Sequence, residues 1–247
     1  MPPKDLFSDQ SKAYAAFRPT YPQALFDFIF QRVNNFDTAW DCATGNGQVA
    51  RDLCKRFKKV YATDISQQQL DEAFQAPNID YSISKAEQTP FPVKHFDLIT
   101  VGQALHWINT QEFYTEVNRV GKPGGTIAVW GYSLLSVNPE IDKLFNDFYF
   151  NKVGSYWDAA RKLVENEYSG IDFPFSMKAE SKFQIIVTWS FEQFAGYLTS
   201  WSATQKFIKT EGFNPVPEFM HSIRQHWQEN TVKEVRFPVF IKTGSIA

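Results

Sequence analysis

Cysteine is scarce in this 247-residue chain: only Cys42 and Cys54 occur. Two thiols make no disulfide framework, and no Cys/His spacing suggests zinc, so no metal site is expected. Unbalanced charge is scarce as well. Lys and Arg number 25 against 27 Asp and Glu, a formal net charge of −2, and no Lys/Arg block stands out. A nucleic acid needs a basic footprint, so none is expected as a partner. No run of about 18 apolar residues exists, which excludes a membrane-spanning helix. The opening "MPPKDLFSDQ" has no apolar signal core, and a cytoplasmic location is expected. Nothing in the sequence calls for a protein partner; a small molecule is the expected one. Aromatic residues, by contrast, are plentiful, at 24 Phe, 10 Tyr and 7 Trp. Many must pack a core, and some can wall an apolar pocket.

The periodicity alternates between strand and helix. "SDQSKAYAAFRPTYP" reads as a helix up to Arg18, stopped by Pro19. "PQALFDFIFQRV" is amphipathic and starts near Pro22. Strands are predicted in "TAWDCAT", "KVYATD", "IDYSIS", "FDLITVGQAL" and "KPGGTIAVWGY", the last after a tight turn. Between them lie helices in "NGQVARDLCKRF", "SQQQLDEAFQA" capped by Ser66, and "TQEFYTEVNRVG" ended by Gly121. Short connections between such elements predict a doubly wound, mostly parallel sheet of Rossmann type. After Tyr132 the alternation stops. Residues 134–230 read as a helical cap with one strand, "SKFQIIVTWS", and "VKEVRFPVFIKTG" supplies a last strand expected to be antiparallel. The organisation expected is one α/β domain: a helical lid at 1–36, a ligand-binding core at 37–133, the cap at 134–230 and a seventh strand at 231–247.

The stretch "WDCATGNGQVA" runs from strand through a glycine turn into a helix. Its Gly45-Asn46-Gly47-Gln48-Val49-Ala50 portion fits the dinucleotide-binding pattern G-x-G-x-x-G/A. Asp41 argues against a dinucleotide, because a carboxylate at the strand end would oppose a pyrophosphate. It suits a ligand bearing an ammonium or sulfonium. Asp64, at the end of "VYATD", has the spacing and position to bond ribose hydroxyls. Ala86 and Glu87 in "SKAEQTPFP" fall where an adenine edge would be read.

A ribose, an adenine and an α-amino group beside a sulfonium describe S-adenosylmethionine. In "WDCATGNGQVA", "VYATDIS", "AEQTPFPVKHFDLITVGQALHWI" and "VGKPGGTIAVWGY", the chain resembles the class I S-adenosylmethionine-dependent methyltransferases. That resemblance implies a seven-stranded sheet with a final antiparallel strand. It also implies a cofactor site built from Asp41, Ala43, Gly45, Gly47, Asp64, Ile65, Ala86, Glu87 and Gln103. Ala43 departs from the family, which often has glycine there, and a slightly altered turn is expected. "YAAFRPTYP", "QALHW" and "YLTSWSA" resemble the subgroup that includes trans-aconitate methyltransferase, whose members methylate small molecules, often at a carboxylate oxygen.

That subgroup resemblance places the acceptor among Tyr14, Arg18, Tyr21, His106, Trp107, Tyr197, Ser200 and Trp201. Arg18 can hold a carboxylate through parallel N–H groups. His106 follows the fourth strand, at the carboxyl end of the sheet where sites of this architecture lie. It is the first candidate for a base if the acceptor needs one. His221 and His226 read as helix surface and Cys42 as a small strand residue. Two other readings remain open: a catalytically silent cofactor-binding protein, and a nucleotide-dependent oxidoreductase on the same sheet.

Overall fold

The computed structural model describes residues 19–228 and 230–247. Seven strands form one sheet: β1 Thr38–Cys42, β2 Lys59–Asp64, β3 Ile79–Ile83, β4 Phe96–Gly102, β5 Gly121–Tyr132, β6 Ser176–Ser190 and β7 Val232–Ser245. Their order is β3-β2-β1-β4-β5-β7-β6. The first five pair in parallel, and β7 runs antiparallel to both β5 and β6. This is the doubly wound, mostly parallel seven-stranded sheet expected from the sequence, antiparallel last strand included. The direction of winding reverses between β1 and β4, which opens a crevice at the carboxyl ends of these strands.

The strand chemistry explains the layering. Every residue of β4 from Phe96 to Val101 is buried, as in a central parallel strand covered on both faces. Alternate side chains divide between two apolar clusters. Ala39, Leu98 and Trp130 belong to one, while Trp40, Ile99 and Val129 belong to the other, the period-two division of a pleated strand. Helices α1 Gln23–Phe30, α2 Gln48–Leu53, α3 Gln67–Asp71 and α4 Thr110–Val120 flank the core. The Ser66 hydroxyl caps α3 by accepting from the Gln69 amide. The tight turn expected before β5 is absorbed into that strand, which starts at Gly121 directly after α4.

The cap contains α5 Pro139–Asp147, α6 Arg161–Glu165, α7 Phe191–Thr199, α8 Ser202–Glu211 and α9 Val216–Ile223. Within the helical cap, the run of residues 191–211 is not one helix but breaks into α7 and α8. The Ser200 hydroxyl donates back to the Tyr197 carbonyl at 2.7 Å, and Trp201 is extended. Such back-bonding competes with helix continuation. The helix expected at residues 8–18 lies outside the described residues.

A polar clamp fixes the loop between β3 and β4. Glu116, on α4 and 6% exposed, accepts from the amide and hydroxyl of Thr89. Arg119 donates to both Glu116 oxygens at 2.7 Å and to the carbonyls of Phe91 and Thr89. Burial acts to raise the Glu116 carboxyl, but the bonds from Arg119 and Thr89 outweigh it and hold its pKa below the ordinary value. A lowered pKa in the folded state contributes stability above the ordinary value of 4.5, and that stability is lost as pH falls through the lowered one. Glu116→Gln is therefore expected to cost about 1–3 kcal/mol at pH 7. The cost should shrink toward zero in acid, below the wild-type titration. Urea unfolding of both proteins across the acid range checks this; a pH-independent difference would contradict it.

Candidate active site

The turn after β1 is organised around Asp41, which is 1% exposed. One carboxylate oxygen accepts from the Thr100 hydroxyl on β4 at 2.9 Å. The other accepts from the Ala50 amide of α2 at 3.1 Å and from the Thr44 hydroxyl. One side chain thus joins β1, β4, the turn and the following helix. Burial pushes the carboxyl up to about 7, only partly offset by the three donors, with Asp64 adding to the rise. A cation beside it would favour the ionised form.

Ala43, Gly45 and Gly47 all take left-handed backbone conformations, with φ of 54°, 56° and 76°. The alanine adopts the conformation a glycine would take, at a cost of about 1–2 kcal/mol. The two glycines serve different needs. A side chain on Gly45 would meet only Gln69 Oε1, at 3.8 Å, so bare backbone faces the crevice. A Cβ on Gly47 would press on the Tyr81 hydroxyl, with Tyr81 Cζ at 3.2 Å and the Ala73 Cβ at 3.4 Å. Gly47 does not line the crevice. The expectation that it admits the ligand is corrected: its missing side chain makes room for Tyr81 of β3.

The turn is tied to β2 by Asp64, whose carboxylate accepts from the Gly45 amide at 2.8 Å and the Ser66 amide at 2.9 Å. Asp41, Ala43 and Gly45 line the resulting cavity from the turn, and Asp64 and Ile65 from the end of β2. Ala86 and Glu87 reach it from the clamped loop, and Gln103 and Trp107 from beyond β4. Glu87 is held by accepting from the Asn109 amide at 3.0 Å. The Gln103 side chain exchanges two bonds with the backbone of Tyr132, so its left-handed backbone borders the cavity. Tyr21 closes one side, with its ring edge-on to Trp130 at 5.5 Å.

Sequence reasoning missed Thr44, Ser66, Ser84, Ile108 and Tyr132, which also line the cavity. Among the described lining residues there are three carboxylates, Asp41, Asp64 and Glu87, and no Lys, Arg or His. That chemistry opposes a pyrophosphate and suits a neutral nucleoside with a cationic tail.

The acceptor candidates are distributed differently. Tyr21 and Trp107 line the cavity, and Tyr14 and Arg18 lie outside the described residues. His106 does not line the cavity; its Nδ1 lies 3.1 Å from the Tyr168 hydroxyl. Burial first, and Arg161 second, push its pKa down to about 3, so it is neutral at pH 7. Tyr197, Ser200 and Trp201 are buried in the cap. The Ser200 hydroxyl is spent on the helix backbone, and Trp201 packs edge-on to Tyr197 at 5.6 Å. Arg161 on α6 was not singled out from sequence, because the Arg161-Lys162 pair in "DAARKLVENE" carries no pattern.

The packing of Gly47 gives a direct test. Gly47→Ala is expected to destabilise by about 2–4 kcal/mol, combining the left-handed backbone penalty with overpacking. In a Tyr81→Phe background the offending oxygen is gone, and the cost should fall to roughly the backbone part, about 1–2 kcal/mol. Chemical denaturation of the double-mutant cycle reads this coupling, and purely additive effects would remove Tyr81 as the cause.

Comparison with known proteins agrees with this geometry. Residues 40–129 match the methyltransferase domain family. A Dictyostelium discoideum protein provisionally named a methyltransferase is 32% identical over 245 residues, spanning 96% of this chain and 93% of its own length. The structure of a protein from Anaeromyxobacter dehalogenans, provisionally named a type II methyltransferase, superposes with a TM-score of 0.86 at 32% identity, over 93% of this chain and 98% of that one. A Bacillus halodurans structure with a similar provisional name shares the fold, with a TM-score of 0.52 at 21% identity, over 91% of this chain and 99% of its own. The chain belongs to the methyltransferase domain family and is an S-adenosylmethionine-dependent methyltransferase.

Proposed function

We propose that the crevice binds S-adenosylmethionine and that the protein transfers its methyl group to a carboxylate oxygen of a small organic acid. The observation that carries the first half is the acid-lined, base-free cavity around a bare backbone turn. Asp64 accepts from ribose hydroxyls while keeping the Gly45 and Ser66 amides in place. Ala86 and Glu87 meet the adenine edge, with Ile65 beside them. Ala43, Gly45 and Gln103 offer close backbone approach to the amino-acid end, and Asp41 supplies negative charge beneath it. When bound, the cofactor supplies an electrophilic methyl on a sulfonium, with a neutral thioether as leaving group.

The protein's task is alignment and exclusion of water, and orientation of reactants can supply about 7–11 kcal/mol of rate acceleration. A carboxylate, with a reference pKa near 4, is already ionised at neutral pH. Such an acceptor would take the methyl through a carboxylate lone pair, the bonding pair to carbon would depart with the sulfur of the bound cofactor, and no residue of this chain would have to move a proton. The state of His106 supports an acceptor of this kind. A conjugate acid with a pKa of about 3 is a poor proton collector at pH 7, which weighs against the base role considered from sequence. His106 instead stays neutral behind the cavity, paired with the Tyr168 hydroxyl and packed against Trp107.

Mass-spectrometric screening of small acids, alcohols and amines with S-adenosylmethionine tests the acceptor class. A one-methyl gain that base hydrolysis removes as methanol is expected for acids only, and methylation of alcohols or amines alone would refute the carboxylate reading. For the cofactor, Asp64→Ala is expected to weaken calorimetric affinity by about 10- to 150-fold, the value of hydrogen bonds worth about 1.5–3 kcal/mol. Unchanged affinity in a variant with a wild-type melting profile would remove Asp64 from the ribose site.

A further inference from the structure

Beneath the crevice, one hydroxyl has a single proton and two acceptors. Thr100 Oγ1 lies 2.9 Å from Asp41 Oδ1 and 3.3 Å from the Trp40 carbonyl oxygen. Both Thr100 and Asp41 are buried. A hydroxyl donates to one acceptor at a time and can accept while it donates. Two arrangements therefore fit the same atom positions. With Asp41 ionised, Thr100 donates to its carboxylate. With Asp41 protonated at Oδ1, the acid donates to Thr100, and Thr100 donates to the Trp40 carbonyl. The other oxygen of Asp41 accepts from the Ala50 amide in either state.

The charges around Asp41 decide which arrangement is populated. β4 presents the Thr100 hydroxyl to it, α2 the Ala50 amide and the turn the Thr44 hydroxyl. From β2, Asp64 adds negative charge. The Tyr81 phenol on β3 and the Cys42 thiol on its own strand feel its charge, and both are kept protonated, by burial first. Among the described lining of the cavity, Glu87 is a third carboxylate, and there is no Lys, Arg or His. Asp64 and Glu87 accept from backbone amides, and Asp41 alone of the three is buried. Burial pushes its carboxyl up to about 7, so both arrangements coexist in the ligand-free protein at neutral pH.

We propose that Asp41 and Thr100 form a proton relay coupled to cofactor binding: as an ammonium arrives at the amino-acid end of the site, Asp41 gives up its proton to solvent, and Thr100, a positioning residue, turns its hydroxyl from Trp40 to the carboxylate. Charge balances, because the ammonium takes the place of the departing proton. The relay rests on the cofactor reading given above. A cation favours the ionised carboxylate, so binding should strengthen as pH rises through the titration of the free carboxyl, by up to about tenfold per pH unit.

The test titrates the full chain with S-adenosylmethionine, S-adenosylhomocysteine and 5′-methylthioadenosine, which has the nucleoside but no amino-acid end. Calorimetry is run in buffers of different ionisation enthalpy at about pH 6.5, below the ordinary titration of an α-amino group. Release of about half a proton or more per site is expected with the first two ligands and none with the third. Thr100→Val takes a donor from the ionised carboxyl, whose free titration should move upward. Affinity of this variant for the first two ligands should fall up to about tenfold below wild type on the acid side of neutrality and approach wild type in alkali. Thr100→Ser keeps the hydroxyl and should follow the wild-type pH profile. Affinity for 5′-methylthioadenosine should match wild type in both variants, which separates the relay from a damaged fold.

The failures are distinguishable. If S-adenosylmethionine binds without releasing a proton, or if Thr100→Val weakens it equally at every pH, the relay fails and the cofactor reading survives. Equal release with 5′-methylthioadenosine would also overturn the relay, because no ammonium is then involved. If neither S-adenosylmethionine nor S-adenosylhomocysteine binds the wild-type protein, the relay and the cofactor reading fall together, and the family membership is untouched.

Discussion

The buried carboxylate of Asp41 is the constraint on which the cofactor side of the molecule depends. It gathers donors from β4, the turn and α2, and so fixes the angle at which the first strand hands over to the first core helix. Asp64 repeats the device one strand away by gripping the Gly45 amide. Between these two acids the turn is held in a left-handed conformation at three of five positions, including the non-glycine Ala43. The backbone cost of that shape is met by the hydrogen bonds of the acids, and the return is a concave, side-chain-free surface at the switch point of the sheet.

Charge is divided across the site. The cofactor half carries carboxylates and no bases among its described lining. The cap carries the Arg161 guanidinium beside the Trp157 ring, and His106 is kept neutral by burial first and by that guanidinium second.

Within the protein, hydrogen-bond clamps hold the loops where charge is needed. The Glu116–Arg119 pair is anchored on α4, yet its bonds terminate on Thr89 and Phe91 in the loop that presents Ala86 and Glu87. Gln103 is held in the same manner by the backbone of β5. The lining side chains are thereby positioned from the sheet and helices rather than by the loops themselves.

By itself, the sequence determined the alternating core, the number of strands, the antiparallel last strand and several of the residues that line the crevice. Those features are local. Strand and helix periods are written in consecutive residues, and Asp41, Gly45, Asp64, Ala86 and Glu87 each lie at, or within a few residues of, the carboxyl end of a strand, where the crevice must lie. Tertiary structure decided what depends on partners distant in the chain. Gly47 is required because Tyr81, on a strand beyond β2, occupies the space of its side chain. Ser200 is turned inward by its own helix, and His106 is kept neutral first by burial and second by Arg161, more than fifty positions later. The cap was the least legible part for the same reason: the neighbours of Arg161, Tyr149 through a hydrogen bond and Trp157 through its ring, are brought to it only by folding.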